Sequence, residues 1–466
     1  MNILVLNGSP KGETSVTIQY VKYLAKVNPK ICFQIVNICP QIRKIEKDAA
    51  VFENILAQVR HADGVIWAFP LYFMVVHAHY MRFIELIFER GAQSAFAGKY
   101  AASLSTSIHF FDHTAHNYIH GICDDLEMRY VGAFSPYMTD LLKENGRKQL
   151  EQFGGQFLSA IQAQIPTQRQ NPALQPRTFI YQPGAAPAAL DTAGKRVVLV
   201  HDGSSQPGSN LPQMVARMQA NFAGQVSVFD LNGLEIKSSC LGCLKCGAYN
   251  ECAFEGKDDF IAFYREQVMA ADILIFAGSM GNRYLSSRWK TLFDRSFFNT
   301  HTPVLGGKQI IYLISGVLSQ VPNLREILQA HAEFQMANLV GFVSDEYGDS
   351  GAIDRLIDCA AQQALDAALA RISRPMTFLG VGGFKVFRDD IWGPLRMIFQ
   401  ADHRAFARMG FYHTFPQRNL GWQVINTLAL PILSIRKVWK GFAQRIPDQM
   451  IVPLQRVVEK AQSPES

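Results

Sequence analysis

The chain has 466 residues, 48% of them hydrophobic and 18% charged. That composition suits two or three globular domains with sizeable cores and excludes disorder over most of the length. Its eight cysteines are too sparse for the disulfide framework of a small secreted domain. The sequence opens directly on an apolar run, Asn2-Ile3-Leu4-Val5-Leu6, without the basic segment and cleavage site of a signal peptide, so the expected home is a reducing cytoplasm. No apolar stretch of about 18 residues is free of breakers, so no spanning helix is expected. The net charge is +6, and from Pro375 onward there are 12 Lys/Arg against 6 Asp/Glu. The excess therefore lies in the last fifth, unlike the even basicity of a nucleic-acid binder.

In chain order, the first apolar run ends in Asn7-Gly8-Ser9, the pattern of a buried parallel strand turning into a helix. Asp63 to Pro70 reads as a further strand, and Lys99 opens another. The plan then repeats: Arg196 to Val200 runs into Asp202-Gly203-Ser204, Asp272 matches Asp63, and Lys308 matches Lys99. Asp63 to Lys99 and Asp272 to Lys308 both span 36 residues. Gly8 to Asp63 spans 55 and Gly203 to Asp272 spans 69, so the second copy carries 69 − 55 = 14 extra residues. A cysteine segment lies within that interval. Pro166, Pro172, Pro176, Pro183 and Pro187 mark an extended linker between the copies. The expected boundaries are 1–163, a linker over 164–194, 195–373, and a basic, aromatic helical extension over 374–466. Strand–helix alternation implies parallel sheets, whose ligands sit at the carboxyl edge.

In the first copy, Gly8-Ser9-Pro10-Lys11-Gly12-Glu13-Thr14-Ser15-Val16-Thr17 follows a strand and opens a helix. A helix N-terminus offers free N–H groups to an anion. The loop is neither a Walker loop nor a dinucleotide fingerprint. Its plainer reading is an ordinary helix start. A second loop, Pro70-Leu71-Tyr72-Phe73-Met74, follows a later strand. Together the two loops resemble those of the flavodoxin-like, FMN-binding NAD(P)H-dependent oxidoreductases, with Lys11 in the place of that family's arginine. The resemblance covers about 160 residues of each copy and implies two doubly wound sheets in the order 2-1-3-4-5. It further implies FMN, its phosphate on Ser9, Lys11, Thr14, Ser15, Val16 and Thr17, and its ring beside Pro70, Leu71, Tyr72 and Phe73. Thr106 and Ser107 of a third loop join that set.

His109, His113, His116 and His120 follow at steps of 4, 3 and 4, which places them on one helical face. Three readings stand. The histidines are proton donors over a flavin, with His109 and His113 foremost and Tyr72 beside them. They are a structural cluster. Or they hold zinc or copper. His77 and His79, close to the aromatic loop, join the first reading.

In the second copy, Cys240-Leu241-Gly242-Cys243-Leu244-Lys245-Cys246 is followed by Cys252. Three cysteines at x2 spacing and a fourth soon after suit a cubane cluster better than zinc, which favours two separated pairs. A metal-free cysteine loop is the bland alternative. The motif resembles that of the iron–sulfur flavoproteins, in which a [4Fe–4S] cluster exchanges electrons with FMN, often across a dimer. Gly203-Ser204-Ser205-Gln206-Pro207-Gly208-Ser209-Asn210 still resembles a phosphate loop. The aromatic loop has become Gly278-Ser279-Met280-Gly281-Asn282-Arg283-Tyr284, and Lys290, Asp294 and Arg295 keep the family's K-x-x-x-D-R pattern. A second FMN is weaker than the first on this sequence.

The tail interleaves Phe384, Phe387, Trp392, Phe399 and Phe406 with Lys385, Arg388, Arg396, Arg404 and Arg408. Leu420 to Ile435 is apolar but holds Pro431, and Arg436-Lys437-Val438-Trp439-Lys440 follows. The readings are a helical extension packed on the body or at an oligomer interface, and a helix at the inner surface of a membrane. The expectation is an FMN and iron–sulfur oxidoreductase that uses NAD(P)H or a ferredoxin-like donor, with a small-molecule acceptor or redox-protein partner and no nucleic acid. A quinone, enone or nitroaromatic all fit as acceptor. An electron carrier or redox sensor without its own substrate is the alternative, and a scaffold of two degenerate domains the third.

Overall fold

The structure, a computed structural model, describes residues 1–176, 179–203 and 208–459. The first copy holds β1 (Asn2–Asn7), α1 (Val16–Val27), β2 (Cys32–Asn37), α2 (Ile42–Lys47), α3 (Ala49–His61), β3 (Gly64–Pro70), α4 (Ala78–Glu89), β4 (Tyr100–Thr106), α5 (Asp112–Asp125), β5 (Arg129–Phe134) and α6 (Glu144–Gln162). The second holds β6 (Val197–His201), α7 (Leu211–Asn221), β7 (Val226–Asp230), α8 (Cys246–Tyr249), α9 (Phe260–Phe263), β8 (Ile273–Ser279), α10 (Ser287–Ser296), β9 (Gln309–Ser315), α11 (Pro322–Phe334), β10 (Asn338–Ser344) and α12 (Ser350–Leu369). Beyond them come α13 (Phe378–Trp392), α14 (Gln400–Arg408), α15 (Leu420–Leu433) and α16 (Arg436–Glu459). The strand orders are β2-β1-β3-β4-β5 and β10-β9-β8-β6-β7, every pairing parallel. Both are the expected 2-1-3-4-5 arrangement.

The central strands are buried on both faces, which is why they read as unbroken Ile/Val/Leu runs. Ile3, Val5 and Ile66 pack with Ile18, Leu24 and Phe157 of α1 and α6, and Val197, Leu199 and Ile275 with Met214, Met218 and Ile357 of α7 and α12. Gly8 leaves β1 against the ring of Tyr80, where a Cβ would sit 2.6 Å from that ring. Any side chain there would push α4 off the sheet.

The chain divides into two compact units, Met1–His403 and Arg404–Ser466. Both sheets belong to the first. So does α13, which packs on α11 through Phe384 on Phe334 and brings Phe387 to Phe110. The body thus runs on past residue 374. Asp402, fully buried, accepts from Thr300, Thr302 and both nitrogens offered by His301. The linker is pinned to both copies: Asn171 donates to Asp124 and Tyr181 to Asp354.

The copies meet through α4 on α10 and α5 on α11, and the contacts repeat at an offset of 209 residues. The Ala78 N–H, at the start of α4, donates to Asp294 of α10 at 2.8 Å. The Ser287 N–H, at the start of α10, donates to Glu85 of α4. Residues 78 and 287, and 85 and 294, are both 209 apart. Each helix therefore receives a carboxylate at its positive end from the other copy. The turns before them match as well. Phe73 and Met74 have φ of 38° and 66°, Asn282 and Arg283 of 26° and 62°. The contact is isologous, as between the subunits of a twofold dimer, but within one chain.

The two caps differ in environment. Asp294 is fully buried with Lys290, whereas Glu85 is partly exposed. Asp294→Ala, which strands a buried ammonium, is expected to lower unfolding free energy by about 3–5 kcal/mol. Glu85→Ala removes the capping contacts to Ser287 and a partly exposed pair with Arg82, and should cost about 1–2 kcal/mol. Urea unfolding giving equal losses would contradict this ranking.

Candidate functional site

Asn7 builds the first loop. Its buried amide donates to the Gly12 carbonyl and to Asn37, and its oxygen accepts from the Ser9 N–H. Gly12 has φ of +55°, which glycine adopts without strain. Ser15 is the N-cap of α1, yet its hydroxyl caps nothing in the helix. That hydroxyl and the N–H groups of the first turn are the donors an anion needs. Ser9, Ser15 and Thr17 are buried and line the loop's inner side, while Lys11, Thr14 and Val16 lie toward solvent. Thr17 reaches across to Thr106, with 2.7 Å between their hydroxyls. The phosphate-loop and third-loop residues expected from sequence therefore meet.

The aromatic loop is a tight hairpin closed by reciprocal bonds between Tyr72 and Val75. Lys290 donates to the Tyr72 carbonyl at 2.9 Å and pairs with Asp294, both fully buried. Burial pushes Asp294 up and Lys290 down, and each holds the other's charge. Asp294 also accepts from Ser239. His77 completes the junction: Nδ1 accepts from the His79 N–H, and Nε2 donates to the Cys240 carbonyl at 2.8 Å. Those partners require the neutral Nε2–H tautomer, and burial lowers the His77 pKa to about 3. Phe73, expected beside a ring, stacks on Phe293 of the second copy at 5.9 Å. It anchors the loop from below.

The cysteine loop of the second copy lies on the first copy's loops. Gly242 has φ of +62°, and a Cβ there would come 2.2 Å from the Tyr72 hydroxyl and 3.3 Å from Lys11 Cε. Arg295 holds the base of the loop by donating to the Ser238 carbonyl and, with two nitrogens, to Asp258. Cys240, Cys243, Cys246 and Cys252 are free thiols that border one small cavity of about 30 Å³. Burial pushes Cys240 and Cys246 up to about 12. The donor set has the number and kind that a cubane cluster uses. Among the described residues, however, no three His, Cys, Asp or Glu side chains converge as they stand on a metal position.

His113, His116 and His120 lie on one face of α5, and His109 stands apart from them. His109 lies before α5 at φ of 63°, bonded through its N–H to Ser107 and through Nδ1 to Asp112. Burial raises the Asp112 carboxyl, but bonds from His109 and Ser135 outweigh it and hold it low. His113 faces Glu326 of α11 across the copies. His116 is buried between Ser103 and Ser105, and His120 stacks on Tyr130. The last two serve the core of the sheet. The break comes from the left-handed turn at His109 and Phe111, which periodicity alone does not reveal.

The second copy's carboxyl edge is furnished differently. Of its phosphate-like loop, Ser204, Ser205, Gln206 and Pro207 lie outside the described residues. At the start of α7, Asp345 accepts from the Asn210 amide, the Ser315 hydroxyl and the Gly316 N–H at 2.7–2.8 Å. The first copy has Pro136 in the place of Asp345, 209 residues earlier. Arg283, in the turn matching the aromatic loop, forms a part-buried bidentate pair with Asp125 of α5. Lys290 and Asp294 stand out in the sequence as a pattern, but their destination does not, nor do the roles of Asn7, Asp345 and Ser239. The 209-residue offset was the available signal.

Burial lowers His77, His79 and His331 to about 3 and His116 to about 4. Unfolded, each takes a proton near pH 6.5; folded, each stays neutral until far lower pH. The unfolded state thus binds more protons between about pH 6.5 and pH 4, and stability falls as pH drops through that window. Calorimetry should show a flat Tm above pH 7 and a steep loss toward pH 5, shallower in His77→Gln. An unchanged slope in the variant would contradict a neutral His77.

The family model described as NADPH-dependent FMN reductase matches residues 1–136 and again 196–348. Among solved structures, an apo NADH:FMN oxidoreductase (EMOB) is 20% identical, with 34% of this chain and 89% of that one covered at a TM-score of 0.30. The flavoenzyme NAD(P)H:(acceptor) oxidoreductase FerB from Paracoccus denitrificans is 17% identical over 35% and 97%, TM-score 0.28. An FMN-dependent NADH-azoreductase from Bacillus anthracis, in complex with FMN, is 11% identical over 33% and 98%, TM-score 0.27. Comparison with curated proteins finds no match. With both copies matched over more than half of its length, the chain belongs to the NADPH-dependent FMN reductase family, as a tandem of flavodoxin-like oxidoreductase domains.

Proposed function

We propose that the first copy binds a single FMN and passes electrons from NAD(P)H or a ferredoxin-like donor to an organic acceptor of quinone, enone or nitroaromatic type. One observation carries this reading above all. Gly242 lies against both Tyr72 and Lys11, so the phosphate loop, the aromatic loop and the thiols share one place. Ser9, Ser15 and Thr17, with the first-turn N–H groups of α1, hold the phosphate, and Lys11 and Thr14 close over it. Pro70, Leu71 and Tyr72 flank the ring, with Thr106 and Ser107 along its edge. When bound, FMN supplies the hydride-transfer chemistry, while the protein positions it and excludes competing reactions.

Proton supply falls to His109. Its Nδ1 is engaged by Asp112 at 3.0 Å, its ring is half exposed, and Nε2 is left for an acceptor. His113, turned to Glu326, is assigned to the contact between copies. Burial raises the Tyr72 phenol far above its ordinary range, so it is assigned to binding and not to proton transfer. Cys240, Cys243, Cys246 and Cys252 would hold a [4Fe–4S] cluster, which supplies one-electron chemistry beside the flavin. A second FMN is not part of this reading, because Asp345 puts a carboxylate at the start of α7, and a phosphate there would meet like charge.

The test is an anaerobic absorption spectrum with flavin and iron counted per chain. The expected result is about one FMN and roughly four irons, with Cys243→Ala losing iron and keeping FMN. Flavin without iron would overturn the cluster and leave the flavin site. A colourless protein that takes up no added FMN would overturn both.

A further inference from the structure

The second unit carries a surface that the redox chemistry does not use. In α15, apolar side chains face solvent on every side: Leu420 is 70% exposed, Trp422 61%, Leu428 68% and Leu430 60%. Ile435, Trp439 and Val438 continue the exposure into α16. Contiguous apolar surface of this kind marks an interaction site. We propose that this unit docks the protein on an anionic lipid bilayer, lying in the headgroup region and not crossing it.

Length excludes crossing. The 14 residues of α15 reach about 21 Å at 1.5 Å per residue, short of the roughly 30 Å hydrocarbon core. No helix among the described residues is long and apolar enough to cross a membrane. Charge selects the occupant. Between Arg404 and Pro447 there are seven Lys/Arg and no Asp or Glu. Arg436, Lys437, Lys440 and Arg445 are exposed on the first turns of α16, directly after the apolar helix. A second copy of this unit would bring the same sign of charge against itself. An anionic membrane offers the opposite charge together with an apolar layer just beneath it. Trp422 and the 48% exposed Trp439 suit the headgroup boundary, where tryptophan concentrates.

The test uses the full chain with vesicles of phosphatidylglycerol and phosphatidylcholine in equal parts, and with phosphatidylcholine alone. Sedimentation with the anionic vesicles, release by high salt and a blue shift of tryptophan emission are expected. The triple variant Arg436→Glu, Lys437→Glu, Lys440→Glu should bind at least about tenfold more weakly, and Leu428→Asp with Leu430→Asp should abolish the blue shift. Both should keep the flavin content and acceptor reduction of the parent chain, which reports an intact body. No binding to anionic vesicles would overturn the proposal. So would equal binding to both vesicle types with no effect of charge reversal, or self-association lost in Leu428→Asp with Leu430→Asp while the parent chain ignores vesicles.

Discussion

Lys290 and Asp294 form an ion pair with no exposure to water, at the point where three chain segments meet. Such a pair is costly to bury and tolerable only when every remaining polar atom is satisfied. Here the ammonium also donates to the Tyr72 carbonyl, and the carboxylate takes the Ala78 N–H and the Ser239 hydroxyl. The aromatic loop, the start of α4 and the base of the cysteine loop are thereby fixed to one another. His77 ties the same knot a second time through the Cys240 carbonyl. Movement of α10 in the second copy would therefore move the first copy's candidate site directly.

This arrangement explains why the copies have diverged. A symmetric dimer would hold two equal sites across its axis. In the tandem the reciprocal caps at Ala78 and Ser287 preserve the symmetry of the contact, while the carboxyl edges have separated. The first edge keeps an open helix start with an uncommitted Ser15. The second places Asp345 at its own helix start and commits Arg283, in the matching loop, to a part-buried bond with Asp125. The extra residues of the second copy then reach over the first, with Gly242 against Tyr72. In the function proposed here, one copy carries the site, and the other covers and braces it.

Much of this was legible in the sequence because it follows short-range rules. Buried parallel strands read as Ile/Val/Leu runs, and the repeat was visible in equal spacings between Asp63 and Lys99 and between Asp272 and Lys308. The loop from β1 to α1 was legible because a strand, a glycine and a run of hydroxyls occur in order. The histidine periodicity holds from His113 to His120 but not at His109, because the helix begins only at Asp112, after a left-handed turn. The loop that holds Phe73 is legible as a pattern, but its stack on Phe293, at a φ of 38°, is not. The joining of Lys290 to Tyr72 spans 218 residues, and nothing local in the sequence specifies a contact that distant.

In the proposed arrangement one copy holds the flavin and the other completes its site. A crystal structure of the FMN-loaded chain tests it most directly. Flavin density is expected in the first copy alone, with the phosphate at the start of α1 and the ring beside Tyr72 under the cysteine loop. Flavin at the start of α7, or in both copies equally, would contradict it.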